Sequence, residues 1–221
     1  MKISREVPII VWLIWLALAV EIVLSIIGQS WPTLMISVTT LVLTWLPITY
    51  SDRFSIKIPI RFATAAIIFI FATLFLGEIG DFYGRFWWWD VILHTGSAVA
   101  FGIIGFVLIF MLFEGDRFAA PPFAIAFLSF CVAMAIGAVW EIFEFAMDQL
   151  FGLNMQKSGL IDTMWDLIVD ALGALTAAVT GYFYLTEPGE GGALRSWISS
   201  FIEKNRGRYR KLGKSKEADS N

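Results

Sequence analysis

Long apolar runs separated by short polar stretches predict six helices. Ile9 to Ile27 forms the first run, behind a short head carrying Lys2 and Arg5 and ahead of Gly28, Gln29 and Ser30. It exceeds the ~7 to 15 apolar residues of a signal-peptide core, and more runs follow, so it is read as an uncleaved first helix. The second runs from Pro32 to about Thr49, the third from Ile60 to Gly77 and the fourth from Val91 to Phe113. A fifth starts near Phe123, and the sixth extends from Met164 to Leu185. Each approaches the ~20 residues needed to cross ~30 Å of hydrocarbon.

Beyond Thr186 the pattern changes. Glu187 to Gly192 reads as a flexible link, and Leu194, Trp197, Ile198, Phe201 and Ile202 then recur at helical spacing opposite Arg195 and Lys204. That is a short amphipathic helix suited to a membrane surface. Asn205 to Asn221 is charged and poor in apolar residues, the composition of a disordered tail. The expected architecture is therefore all-α: a polytopic bundle of six transmembrane spans over residues 1–186, then residues 187–221 as link, interfacial helix and basic tail.

Composition agrees with that class. The chain of 221 residues is 58% hydrophobic and only 16% charged, with a mean hydropathy of +0.74. A soluble domain carries about 25% charged residues. The single cysteine, Cys131, excludes an internal disulfide and a thiolate metal cluster, and suits small apolar packing within a span.

Charge adds a direction. Six spans put both termini on one side with the loops around Arg53 and Arg117, and fourteen of the sixteen Lys and Arg residues lie there, leaving Arg85 and Lys157 opposite. The positive-inside rule then makes both termini cytoplasmic, in a multi-pass protein of the inner membrane. Ten of the nineteen acidic residues fall at or within the outer half of the bundle. Trp87, Trp88 and Trp89 beside Asp90 fit an interfacial aromatic belt.

The strongest chemical signal is Asp162, Asp166 and Asp170 on one face of the sixth span, with Gly173, Ala177 and Gly181 continuing the stripe. A carboxylate near the bilayer centre costs roughly 2.5 to 3.5 kcal/mol on insertion scales, so this row must face protein, water or a cation. The fifth span repeats the theme with Ala133, Gly137, Glu141, Glu144 and Asp148 on one face. The fourth contributes Asp90 and, one turn on, His94, the only histidine. Asp170 lies ~12 Å below Asp162 along its helix, so the acids line a funnel rather than a ring. His94, Glu141, Glu144, Asp166 and Asp170 form the expected inner set, and Asp90, Asp148 and Asp162 the outer lip.

So many carboxylates with so few cationic partners must keep protons or hold cations. Oxygen ligands with one imidazole suit a divalent ion, Mg²⁺, Mn²⁺, Ca²⁺ or Zn²⁺. His94, Glu141 and Asp166 are the candidate catalytic residues of a metal-dependent hydrolase or transferase, a carboxylate or His94 serving as general base. Plainer roles stand beside these: Asp90 and Asp162 also fit helix caps, His94 a packing residue, and the small-residue stripe close helix contact. Ser97, one turn beyond His94, is a weaker nucleophile candidate. No phosphate-binding glycine loop is present, and the basic tail suits anionic lipid rather than nucleic acid.

The succession Trp87-Trp88-Trp89-Asp90-x3-His94, Glu141-x2-Glu144-x3-Asp148 and Asp162-Thr163-Met164-Trp165-Asp166-x3-Asp170-x2-Gly173 resembles the YjdF-like family of bacterial inner-membrane proteins over the third to sixth spans. It is also distantly similar to VanZ-like membrane proteins, which show Asp-x3-His, a later Glu and Asp-x3-Asn-x2-Gly. Here Val91 replaces the lysine that often follows the first Asp, and Asp170 stands at the Asn position. The first resemblance implies a membrane location without a defined reaction; the second implies a link to glycopeptide-antibiotic tolerance. Three functions fit the residues: a metal-dependent enzyme on a lipid or lipid-linked envelope substrate, a cation- or proton-coupled transporter, and a non-catalytic assembly protein. Membrane lipids are the expected partners, and a homo-oligomer is compatible with all three.

Overall fold

The structure is a computed structural model that describes residues 7–53, 59–113, 120–187, 192 and 196–203, with the side chains of 49–53 outside that description. The basic head at Lys2 and Arg5, the loop residues Lys57 and Arg117, and Leu194, Arg195, Lys204 and the tail lie outside the described residues. What is described is helical, with no strand among the described residues. Among the described residues, six helices are long and apolar enough to cross a membrane: Ile9–Ile27, Trp31–Ile48, Ile60–Ile79, Trp88–Phe113, Pro122–Phe151 and Leu160–Thr186. The expected six-span, all-α class is what the chain forms.

The chain divides into two compact units, 1–89 and 90–221. The first contains α1 (Ile9–Ile27), α2 (Trp31–Arg53), α3 (Ile60–Ile70) and the four-residue α4 (Phe82–Arg85). Helix α3 runs on into a wider, π-type turn over Phe71–Ile79. Val11, Ile14 and Leu18 from α1 and Ile67 from α3 make its core, with Trp15, Leu41, Phe71 and Phe75 packed around them. Apolar side chains that are not needed in this core remain outside it, as expected of a helix surface facing lipid: Ile9, Leu16, Ile27 and Trp31 are all well exposed. Ser37, Thr40 and Thr44 of α2 are buried instead, and Thr44 accepts a hydrogen bond from Trp15 Nε1 at 3.2 Å.

The second unit is built from α5 (Trp88–Phe113), α6 (Pro122–Phe151) and α7 (Leu160–Thr186). Their predicted counterparts start up to four residues too late, because Trp88, Trp89 and Leu160 to Thr163 lie in first turns rather than in loops. Small residues govern the packing, as is usual between membrane helices. A Cβ at Gly173 of α7 would lie 2.5 Å from the Thr95 carbonyl oxygen and 2.9 Å from Ala98 Cβ, so α7 lies almost directly on the α5 backbone. Farther along, Gly102 of α5 faces Ala177, and Gly181 of α7 faces the Phe106 ring. Helix α6 joins through Ser129, whose buried hydroxyl donates to the Gly102 carbonyl at 2.7 Å. The stripe read as a packing surface has that role here.

Residues 196–203 are helical, with Ile198 and Ile202 buried and Trp197 and Phe201 half-buried. The apolar face expected on a membrane surface is thus partly covered by protein. Cys131 in α6 is half-buried.

Candidate cation site in the second unit

The i, i+4 spacing that places Asp90 above His94 on α5 and Asp166 above Asp170 on α7 brings these side chains together once Gly173 lets the two helices meet. His94 is the hub. Its Nε2 lies 3.8 Å from Asp90 Oδ1 and 4.0 Å from Glu141 Oε1, and its Nδ1 lies 3.4 Å from Asp170 Oδ1. Asp90, His94 and Asp166 each offer a ligand atom within 4.8 Å of the other two. Helix α6 supplies Glu141.

The inner residues are deeply buried: His94 is 8% exposed, Glu141 and Asp166 4%, and Asp170 1%. Both oxygens of Glu141, both of Asp170 and Nδ1 of His94 have no hydrogen-bond partner. Buried polar atoms are normally satisfied, and an unmet carboxylate in an apolar setting costs several kcal/mol. Gly137 of α6 makes room for one of them, since a Cβ at that position would collide with Asp170 Oδ2.

The outer acids behave differently. Asp148, near the end of α6, accepts backbone N–H bonds from Met155 at 2.7 Å and Gln156 at 2.9 Å, one to each oxygen. Asp162 accepts the Lys157 N–H at 3.0 Å, and Gln156 donates its side-chain amide to the Thr163 hydroxyl at 2.6 Å. These bonds fasten the α6–α7 connection. Asp90 and Asp162 both lie in first turns, where a carboxylate meets the positive end of the helix dipole. Asp162 is not the N-cap residue of α7, which is Gly159. Glu144 is half-buried and accepts the Trp140 Nε1–H at 3.0 Å. Ser97 donates to the His94 carbonyl at 2.8 Å, a local helix bond rather than a nucleophile–base pair.

All eight sequence-derived residues therefore sit in one unit, and four of the acids, Asp90, Glu141, Asp166 and Asp170, converge on the His94 imidazole. Glu144, Asp148 and Asp162 are committed to neighbouring donors. Gly137, which the spacing puts on the acidic face, accommodates Asp170 by its missing side chain, and the loop amides that hold Asp148 escaped sequence reasoning. In the first unit, Ser25 lies 3.5 Å from Glu21 Oε1, and Asp81 pairs with Arg85 at 3.5 Å on the surface.

Two ligands of one divalent ion, each bound at ~2.0 to 2.2 Å, stand ~3 Å apart when adjacent and ~4 Å when opposed. The separations around Nε2 fall near that range, so the residues fit such an ion with small side-chain adjustments. Membrane-length helices enclosing a buried histidine–carboxylate cluster define a polytopic α-helical membrane protein with a candidate cation site. The chain belongs to the predicted membrane protein family DUF2238, whose model matches residues 10–187. It is similar to an uncharacterized protein of Thermotoga maritima, 29% identical over 136 residues that cover 62% of this chain and 69% of the relative. No solved structure matches.

Proposed function

We propose that the chain is a divalent-cation-dependent membrane enzyme, a hydrolase or transferase acting on a lipid or lipid-linked envelope substrate. One observation carries this reading: Glu141 is 4% exposed beside His94, and neither of its oxygens has a hydrogen-bond partner. A carboxylate that merely fixes helix register does so through hydrogen bonds, as Asp148 does for its loop. Glu141 makes none, which favours a bound positive charge over an assembly role. The ion, Mg²⁺, Mn²⁺, Ca²⁺ or Zn²⁺, would be held by residues from His94, Asp90, Asp166 and Glu141, and when bound would supply Lewis acidity. Glu141, with both oxygens free of hydrogen bonds, is suited to take a proton from an attacking group.

Transport through the same carboxylates is less well supported. Past Asp170, the α5–α7 contact closes on Gly102, Ala177, Phe106 and Gly181, a small-residue and aromatic seam without acids to relay a cation. The resemblance to the YjdF-like family and the basic residues on the terminal side support an inner-membrane location with both termini cytoplasmic and the acidic end outward. The VanZ-like similarity rests on fewer positions and adds nothing to this reading.

The test is elemental analysis of detergent-purified protein beside Glu141→Gln combined with Asp166→Asn. A near-stoichiometric divalent metal in the wild type, lost in the double variant, is expected. Absence of metal from the wild type, with no stabilisation by any added divalent ion, would overturn the reading and turn attention to cation or proton flux in proteoliposomes.

A further inference from the structure

The two nitrogens of an imidazole point in diverging directions, so the carboxylates around His94 need not share one role. Nε2 faces Asp90 and Glu141 at 3.8 and 4.0 Å, and Nδ1 faces Asp170 at 3.4 Å. The triplet whose ligand atoms lie within 4.8 Å of one another is Asp90, His94 and Asp166, without Asp170. Asp170 is also the most enclosed of the acids, at 1% exposure, and its second oxygen is pressed against Gly137. A carboxylate in that slot has little freedom to swing around the ring to the Nε2 side.

We infer that His94 divides the cluster in two: a divalent transition ion sits on the Nε2 side among Asp90, Asp166 and Glu141, and Asp170 on the Nδ1 side is a positioning residue that orients the imidazole. This rests on the cation-site reading and changes two of its roles. Asp170 leaves the ligand set in which the sequence puts it, and Asp90 enters from the lip. The logic is that of metal sites in general, where a ligating histidine donates its other N–H to a carboxylate that fixes the tautomer and raises ligand basicity. It also narrows the ion. Neutral imidazole suits Zn²⁺, Fe²⁺ or Ni²⁺, for which Co²⁺ is a spectroscopic stand-in, whereas Mg²⁺, Ca²⁺ and Mn²⁺ prefer oxygen shells. Glu141, buried and aimed at Nε2 with both oxygens unpartnered, is the independent sign that something positive belongs there.

The experiment is titration of metal-stripped, full-length protein in detergent with Co²⁺ and with Mg²⁺, by calorimetry and by visible absorption of the bound cobalt. Wild type is expected to take up one Co²⁺ much more tightly than Mg²⁺. Asp170→Asn should keep the stoichiometry and the shape of the absorption bands, with affinity lowered about 10- to 100-fold. Asp90→Asn and Asp166→Asn should change the bands or abolish uptake. Gly137→Ala leaves every ligand in place but crowds Asp170, and should weaken Co²⁺ without altering the bands; it carries the test if Asp170→Asn does not fold. Loss of stoichiometric uptake or altered bands in a folded Asp170→Asn would make Asp170 a ligand and overturn the division while leaving the cation site standing. Tighter binding of Mg²⁺ would overturn the transition-ion class alone. A wild type that binds neither ion would remove the cation site itself.

Discussion

Acidic residues that look equivalent along the chain have separate tasks, and the difference is where their hydrogen bonds go. Asp148 spends both oxygens on the amides of Met155 and Gln156, whereas Glu141, two turns earlier on the same helix, has none. Asp148→Ala is therefore expected to lower stability by about 1 to 3 kcal/mol, as two charge-assisted bonds are lost from a half-buried position. Unfolding in detergent measures this, and metal content should stay at the wild-type level. The sequence showed that Glu141 and Asp148 share a face, since helical spacing is readable from residue types alone. It could not show their separate duties, because the amides that Asp148 meets come from a loop whose path no periodicity encodes. The same holds for His94: its acidic neighbours are legible at one-turn spacing, but which carboxylate each nitrogen faces depends on three helices meeting.

Helices α5 and α7 are brought together by the absence of side chains. Gly173 allows the α7 backbone to rest on the Thr95 carbonyl, and the site above exists because that contact is short. Gly173→Ala should push the helices apart, costing about 1 to 3 kcal/mol of stability by overpacking and weakening cation uptake in parallel. Thermal unfolding in detergent and metal titration of the same preparation check both effects; loss of stability with unchanged metal affinity would show that the spacing at Gly173 does not set the site. This stripe was legible as a packing surface, for small residues at four-residue intervals have few other uses in a membrane helix. The wide turn over Phe71–Ile79 was not, because its residues are ordinary apolar ones and only the hydrogen-bond pattern distinguishes it from a regular helix.

At the scale of the whole molecule, six apolar helices and a charge pattern that favours one side were plain from composition, because the demands of hydrocarbon are severe and few sequences meet them. The division into two compact units was not, since both are built from similar apolar runs and no linker of distinct composition separates Trp89 from Asp90. Within the second unit, the tight seam below Asp170 has a consequence for traffic. A cation held beside His94, as proposed, would meet no acid along the α5–α7 contact past Asp170, so the expected exit is back past Asp90. In vesicles of uniform orientation, a membrane-impermeant chelator should strip the ion when added to the acidic end of the bundle and leave it untouched from the other side.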